Sequence, residues 1–262
     1  MPNDRAVEPV LLSAVQDGIA LLTLNRPRQY NALSGELIAA LHQAVDGFAR
    51  DPSVRVVMIT GAGNAFCAGH DLKEMSGLPP EGVTALFAQC SALMQKLVAL
   101  PQPVIGVVNG LATAAGCQVV AQCDLAVAAT SAHFAVSGVN LGLFCSTPAV
   151  SLSRNLGRKR AAEMLFTGDL VSAFQAEAWG LVNRVVPPEQ LMEAARALAE
   201  RMIAKPAEAL ALGKALFYRQ LEAPLAQAYA DASCTIAGNF ELPSAREGVD
   251  AFLTKRPPDW KR

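Results

Sequence analysis

A long central segment of the chain carries almost no charge. Between Lys96 and Arg154 the only charged residue is Asp124, and the only imidazole is that of His133. Prolines, glycines and polar amides interrupt every window of about twenty residues, the length that a membrane-spanning helix needs. No membrane span is therefore expected, and the segment is predicted to form the buried centre of a soluble fold.

The overall composition is that of a folded protein with a large core. Of 262 residues, 52% are hydrophobic and 17% are charged, which excludes intrinsic disorder. The 22 basic and 23 acidic residues leave a formal net charge of −1. Because nucleic-acid-binding proteins are usually basic, no nucleic-acid partner is expected.

The cysteines and the first residues bear on location and on metal binding. The six cysteines include no CxxC pair and have no histidine cluster nearby, so no metal site is expected. Six thiols in a chain of this size indicate a reducing compartment. The start, MPNDRAVEP, lacks the apolar stretch of a secretory signal. These features together predict a cytoplasmic location.

Short apolar runs alternate with helical patterns over the first half of the chain. Val54–Thr60, Val104–Val108 and Leu125–Ala129 have the composition of buried strands, and a helix is predicted over Thr113–Cys123. Strands that alternate with helices favour a parallel sheet joined by crossovers. From about Thr147 onward helical periodicity dominates, so we predict an α/β core followed by a helical region.

Two glycine-containing loops follow predicted strands, at Phe66–Leu72 and Asn109–Cys117. Each places backbone N–H groups beside small residues, which lets a ligand approach the main chain. The second loop also directs a helix N-terminus at that ligand, which favours developing negative charge. Two such donors are suited to hold a carbonyl oxygen as it becomes an oxyanion, and tight loop packing is the alternative.

Six ordered segments resemble the enoyl-CoA hydratase/isomerase (crotonase) family over essentially the whole chain. They are Leu24–Ser34, Phe66–Met75, Pro101–Gly110, Cys123–Ala129, Leu165–Pro187 and Ala251–Trp260. The resemblance implies a crotonase-like core of ββα spiral turns over residues 1–200 and a C-terminal helical trimerisation region over residues 201–262. It implies a homo-trimer, or a homo-hexamer built as a dimer of trimers. Ser137–Pro148 resembles one branch of the family, whose activity is poorly defined.

The resemblance also implies an acyl-CoA thioester as the ligand, with coenzyme A as part of the substrate and no prosthetic group. Its carbonyl oxygen is expected between the backbone N–H groups of His70 and Ala115. Ala115 stands where the family usually has glycine, and its N–H is retained if its φ is negative. Substrate contacts are expected from Ala68, His70, Asp71, Leu72, Ala115 and Gly116.

The chain departs from the family at the two positions where the water-adding enzymes carry glutamate. Gln118 and Gly138 match those positions. The Gln118 amide cannot take up a proton, and Gly138 has no side chain. Since each general acid or base typically contributes about 10²–10⁴ to a rate, efficient hydration is doubtful. The resemblance still implies an acyl-CoA enzyme, a lyase or isomerase, whose reaction is left open among inefficient hydration, isomerisation, decarboxylation and thioester hydrolysis. The alternative is a non-catalytic CoA-binding or interaction protein that keeps the pocket without the acid–base pair.

Other side chains are weaker candidates for a role in catalysis or in binding the substrate. The His70 imidazole suits proton transfer or carboxylate recognition, unless it only bonds to loop backbone. Cys145 lies near the position of a nucleophilic aspartate in another branch, although a buried thiol usually acts as a small hydrophobe. Ser146 and Thr147 are expected to cap the helix that begins near Pro148. Lys255 and Lys261 in the basic tail are candidates for binding the CoA phosphates, and a solvated tail is the alternative.

Overall fold

The computed structural model describes residues 8–260, which form ten strands and eleven α-helices. The strands are β1 Leu11–Gln16, β2 Ile19–Leu24, β3 Val56–Gly61, β4 Ala65–Cys67, β5 Val104–Val108, β6 Leu111–Thr113, β7 Leu125–Ala129, β8 His133–Ala135, β9 Val171–Ser172 and β10 Arg184–Val186. The helices are α1 Gly35–Phe48, α2 Leu72–Ser76, α3 Pro80–Ala99, α4 Ala115–Gln122, α5 Ser146–Asn155, α6 Arg158–Thr167, α7 Ala173–Trp179, α8 Leu191–Ile203, α9 Ala207–Leu221, α10 Leu225–Phe240 and α11 Pro243–Leu253.

The strands form two sheets. The larger sheet has the order β1-β2-β3-β5-β7-β10, and only its first pair is antiparallel. The smaller sheet has the order β4-β6-β8-β9, with a parallel arrangement up to β8 and an antiparallel last pair.

A ββα unit repeats three times in the core. In β3–β4, β5–β6 and β7–β8 the first strand joins the larger sheet and the second joins the smaller sheet. Each pair is then followed by helical structure, of which α3, α4 and α5 are the main helices. The predicted α/β class and ββα spiral are therefore confirmed.

The larger sheet is covered on both faces, which explains its continuous apolar strands. Along β3, Val57 and Ile59 belong to the main core that α1 and α3 cover. The alternate residues Val56 and Met58 face a second core, which includes Ala195 of α8. Because successive side chains of a strand point to opposite faces, a strand buried on both sides is apolar almost throughout. The one hydroxyl of β3, that of Thr60, donates to the carbonyl of Val107.

The sequence prediction is wrong at the start of the helix assigned to Thr113–Cys123. Helix α4 begins at Ala115, because Leu111–Thr113 form strand β6 and pair with β4 and β8. Small apolar residues fit either structure, and the partner strands decide between them.

The division into a core over residues 1–200 and a helical region over 201–262 stays a prediction. No helix in the range 8–260 is long and apolar enough to cross a membrane.

Asp124 connects the C-terminal helices to the core. Its carboxylate accepts hydrogen bonds from Lys214 Nζ and Tyr218 Oη of α9, each at 2.7 Å, and from the N–H of Val104. The Lys214 side chain is only 7% exposed, and this burial lowers its pKa in spite of the carboxylate. The lone charge of the central segment is therefore structural.

Candidate active site

The two glycine-containing loops lie side by side because the strands before them are neighbours. Strand β4 pairs with β6, with Cys67 opposite Ala112. The chain that follows β6 passes so close to β4 that a Cβ atom built on Gly116 would lie 2.0 Å from the carbonyl oxygen of Cys67. Only glycine fits at this position.

Gly69 makes the second close approach between the loops. Its φ is +94°, and a Cβ atom built on it would lie 2.8 Å from Cβ of Ala114. The same built atom would lie 3.3 Å from the backbone nitrogen of Ala115. The peptide that joins Gly69 to His70 is therefore adjacent to the N-terminus of α4.

The two N–H groups that the sequence singled out have no acceptor within residues 8–260. The carbonyl of Gly69 accepts a 2.7 Å hydrogen bond from the N–H of Leu33. Because the peptide is trans, the N–H of His70 points the opposite way, away from Leu33. Ala115 is the first residue of α4, so its N–H has no partner inside the helix. The fold thus brings two free donors to one place.

Ala114 holds an unusual backbone conformation immediately before the second donor. Its φ of 48° and ψ of −119° lie in a region that favours glycine. Its N–H donates to the carbonyl of Ala135, which fixes the peptide. Ala115 itself has a negative φ, as retention of its donor requires. Sequence reasoning missed Ala114, because nothing in an alanine signals a positive φ.

The His70 imidazole is neutral at physiological pH. Burial lowers its pKa to about 4. The ring packs edge-on against Phe87, with 4.8 Å between centroids, and its Nε2 is buried without a partner in the described chain. The expected hydrogen bond from the imidazole to loop backbone is not found there. A group with this pKa is also a poor general base near pH 7.

The positions of the family's two glutamates differ in the space they offer. Gln118 is 3% exposed, and its Oε1 is buried with no partner among residues 8–260. A Cβ atom built on Gly138 would lie 2.8 Å from both Cys145 Sγ and the carbonyl oxygen of Leu143. Cys145 therefore occupies the space into which a side chain at position 138 would extend.

The thiols near the donors are protonated. Burial raises the pKa of Cys67 and of Cys117 to about 12, and it also raises the pKa of Cys145. The Cys145 sulfur accepts a 3.3 Å hydrogen bond from the N–H of Gly138. Since the thiolate is the nucleophilic form, this environment does not favour Cys145 as a nucleophile.

Asp71 is engaged within the protein. Its carboxylate caps α2 by accepting from the N–H groups of Lys73 and Glu74, and it pairs with Arg26 at 2.8 Å. The hydrogen bond from Arg26 lowers its pKa. Asp71 is therefore a capping carboxylate rather than a free base.

The remaining candidates are Ala68 and Leu72 in the first loop and two lysines near the C-terminus. Ala68 donates its N–H to the carbonyl of Tyr30, and Leu72 is 52% exposed at the start of α2. Lys255 is exposed, and Lys261 lies outside the described residues. Their proposed contact with CoA phosphates stays a prediction.

The start of helix α5 differs from the prediction, and no metal site is found in the described residues. Neither Ser146 nor Thr147 caps α5 as expected, because the helix begins earlier, at Ser146, and has no side-chain cap. The Thr147 hydroxyl is instead buried without a partner in the described chain. Among residues 8–260, no group of three or more histidine, cysteine, aspartate or glutamate residues is arranged to hold a metal ion.

The chain belongs to the enoyl-CoA hydratase/isomerase family, whose model matches residues 14–262. A crystal structure of an enoyl-CoA hydratase from Mycobacterium smegmatis is 56% identical, with a TM-score of 0.95, and the match covers 97% of this chain and 100% of that one. The crystal structure of human enoyl-CoA hydratase domain-containing protein 3 is 42% identical, with a TM-score of 0.93, over 96% of this chain and 100% of that one.

Curated relatives identify the branch. Enoyl-CoA hydratase domain-containing protein 3, mitochondrial, from Rattus norvegicus is 46% identical over 97% of this chain and 85% of its own length. This is the branch that Ser137–Pro148 resembles, so the resemblance is confirmed.

The predicted cytoplasmic location is wrong on this evidence, because the rat, mouse and human relatives are all named mitochondrial. Reduced thiols fit any reducing compartment and do not select the cytosol.

The strain at Ala114 predicts that Ala114→Gly stabilises the protein by about 1 kcal/mol, since glycine adopts this backbone conformation without steric cost. Ala115→Gly is the matched control, because φ is negative there, and it should destabilise by about 0.5–1 kcal/mol. Urea unfolding of both variants measures the difference. Destabilisation by Ala114→Gly would contradict the assigned strain.

The buried His70 predicts a loss of stability in acid. Above the ordinary pKa of 6.5 the imidazole is neutral in both states, whereas below it only the unfolded state gains the proton until about pH 4. Relative to His70→Gln, the wild type should lose on the order of 2–3 kcal/mol between pH 7 and pH 4. Urea unfolding across this range, with the exposed His133→Gln as control, checks it. Equal pH dependence in wild type and His70→Gln would refute it.

Proposed function

We propose that the protein binds an acyl-CoA thioester and holds its carbonyl oxygen between the N–H groups of His70 and Ala115. The observation that carries this proposal is the pair of acceptor-free donors that the two loops bring together. The positive end of the α4 dipole adds to them, because Ala115 is the first residue of that helix. Membership of the enoyl-CoA hydratase/isomerase family supports the thioester as the ligand.

The proposed chemistry is stabilisation of negative charge on the thioester oxygen. Donors fixed by the fold stabilise an oxyanion or enolate without reorganising during the reaction. Proton transfer by the protein is weak at this site, since the Gln118 amide does not act as an acid or base near neutral pH and the pKa of His70 is about 4. The favoured reactions are those whose rate is limited by formation of the oxyanion or enolate. In these reactions solvent supplies the proton.

The infrared carbonyl stretch of bound butyryl-CoA, labelled with ¹³C at the thioester carbon, tests this proposal. Two donors on the oxygen weaken the C=O bond, so the stretch should move to lower frequency on binding. Ala115→Pro removes one donor at a helix position that accepts proline, and the shift should decrease. Ala115→Gly keeps the N–H and should keep the shift. A bound wild-type ligand with no shift would contradict the proposal.

Hydration of crotonyl-CoA should be slow, because it also needs proton removal from water and delivery to carbon. We expect a wild-type kcat well below about 10 s⁻¹, the median for enzymes. Gln118→Glu should raise it, while Gln118→Met should not, since only the first adds a proton-exchanging group. A wild-type kcat of about 10² s⁻¹ or more would mean that His70 or Cys145 carries the proton chemistry. A glutamate at Gly138 is not expected to help, because Cys145 fills its space.

A second candidate function is binding of CoA thioesters without turnover. It is favoured by the protonation states around the donors, where the His70 pKa is about 4 and the buried thiols are protonated. Turnover of a panel of CoA thioesters, after binding has been established, separates the two candidates. Binding without any turnover would favour this second function.

We also propose that the chain assembles as a homo-trimer or a dimer of trimers. Helices α9 and α10 contain no buried residue within one chain, although their stretches Ala207–Tyr218 and Leu225–Ala237 are rich in alanine and leucine. A C-terminal apolar face remains exposed, formed by Phe217, Leu221, Leu225, Tyr229, Ile236, Phe240, Phe252 and Leu253. Apolar exposure on this scale is unusual for a monomer and supports contact with other copies.

Sedimentation velocity at micromolar concentration should give a species of three or six chains. Phe252, which is 82% exposed, belongs to the C-terminal apolar face, and Phe252→Asp should weaken the assembly by placing a charge in the contact. Val15→Asp, on β1 and outside that face, is the control and should leave the assembly intact. A stable wild-type monomer would contradict the proposed assembly.

A further inference from the structure

A cavity of about 760 Å³ lies at the edge of the larger sheet where its parallel strands begin. Arg55, which directly precedes β3, lines it together with the connection from α8 to α9, the start of α11 and residues up to Trp260 near the C-terminus. The loops of the candidate active site lie beyond the other end of β3, after strands β4 and β6. Ligand pockets usually have volumes of about 300–1,000 Å³. The cavity is therefore separate from the proposed thioester site and large enough for an organic ligand.

Two cations line this cavity without an ion pair. Arg55 Nη2 donates a 2.6 Å hydrogen bond to the carbonyl of Lys205, which fixes the guanidinium at the cavity wall. A guanidinium carries several further N–H groups. Neither Arg55 nor Lys205 forms an ion pair with any residue from 8 to 260. Both cations are therefore available to an anionic group of a ligand.

The two carboxylates of the cavity are engaged within the protein. Glu208 accepts a hydrogen bond from Ser244 Oγ, which joins the first turn of α9 to the first turn of α11. The positive end of the α9 dipole also offsets the charge of Glu208. Asp259 is not free, and its N–H donates a 2.7 Å hydrogen bond to Glu247 Oε1. The charges that remain to be neutralised are therefore those of Arg55 and Lys205.

Trp260 supplies an aromatic wall. Its ring lies against Gly248 of α11, where a built Cβ atom would be only 3.0 Å from Cη2 of the indole. The tryptophan is still 36% exposed, so part of the ring is open to the cavity that it lines. An indole in this position can stack on a flat ring of a ligand.

The chemistry of these walls selects a ligand that combines an aromatic ring with an anion. An inorganic anion would satisfy the cations but leave most of the volume empty, and a fatty acid would offer no ring to Trp260. A purine nucleotide has a flat ring and phosphate oxygens. Its ribose hydroxyls, which both donate and accept hydrogen bonds, suit the polar side chain of Ser244.

We propose that this cavity binds a free purine nucleotide, with the ring on Trp260 and the phosphates at Arg55 and Lys205. This proposal does not depend on the proposed function, because the cavity involves neither His70 nor Ala115. Binding is reversible and requires no chemical step.

Isothermal titration calorimetry with ADP, adenosine and inorganic phosphate tests the proposal. Because CoA itself contains an ADP unit, saturating butyryl-CoA is present throughout to occupy the thioester site. The wild type should bind ADP at least about 10-fold more tightly than either adenosine or phosphate. Trp260→Ala should weaken ADP binding about 10-fold and leave phosphate binding unchanged, since only stacking is lost. Lys205→Met should weaken ADP binding by a similar factor and leave adenosine binding unchanged.

Glu208→Gln separates a binding role of the cavity from a structural one. It keeps an acceptor for Ser244 and removes a negative charge, so ADP should bind about 3-fold more tightly. Lys159→Met, which removes an exposed lysine of α6 outside the cavity, is the matched control for Lys205→Met and should leave ADP binding unchanged.

Three results would overturn the proposal. They are no binding of ADP in the presence of butyryl-CoA, ADP binding that Trp260→Ala and Lys205→Met leave unchanged, and phosphate binding as tight as that of ADP. If butyryl-CoA itself does not bind, the proposed function is wrong, while the variants of the cavity still decide this proposal.

Discussion

The candidate site depends on the close approach of two main-chain segments. A side chain at Gly116 would overlap the carbonyl of Cys67, and a side chain at Gly69 would press on Ala114. The approach is possible because β4 and β6 are parallel neighbours, which places the chain after each strand at the same edge of the small sheet. The repeated ββα turn thus delivers two loops, and the glycines let their backbones come together. The free donors of His70 and Ala115 follow from this packing.

The electrostatic character of the site follows from its burial. The groups closest to the donors are an imidazole with a pKa of about 4, two thiols with pKa values of about 12 and an uncharged amide at Gln118. None of them exchanges a proton readily at pH 7. In such surroundings a fixed N–H dipole acts strongly on a developing charge, because little water screens it. The site is therefore suited to stabilising charge on a substrate and poorly suited to moving protons.

The sequence predicted the parts of this arrangement that depend on local pattern. Strand β5 has the predicted bounds Val104–Val108, since a fully buried strand has a continuous apolar composition. The positions of the two donors, His70 and Ala115, are predicted by the resemblance to the family, which matches the two glycine-containing loops. The geometry at Ala114 was not predictable, because its positive φ is imposed by the hydrogen bond to Ala135 and the packing of Gly69.

Packing in three dimensions accounts for the other differences. Leu111–Thr113 forms a strand only because β4 and β8 flank it, and Gly138 is constrained by Cys145 and Leu143. Thr147 has the composition of a helix cap, yet its hydroxyl is buried beside α4. Strand β6 depends on strands remote in the sequence, and the other two features depend on how a loop and the start of a helix pack, so the residue types alone do not predict them.

A crystal structure with bound butyryl-CoA tests the central claim most directly. The thioester oxygen should lie about 2.7–3.2 Å from the backbone nitrogens of both His70 and Ala115. An oxygen more than about 4 Å from both nitrogens, beyond any hydrogen-bond geometry, would contradict it.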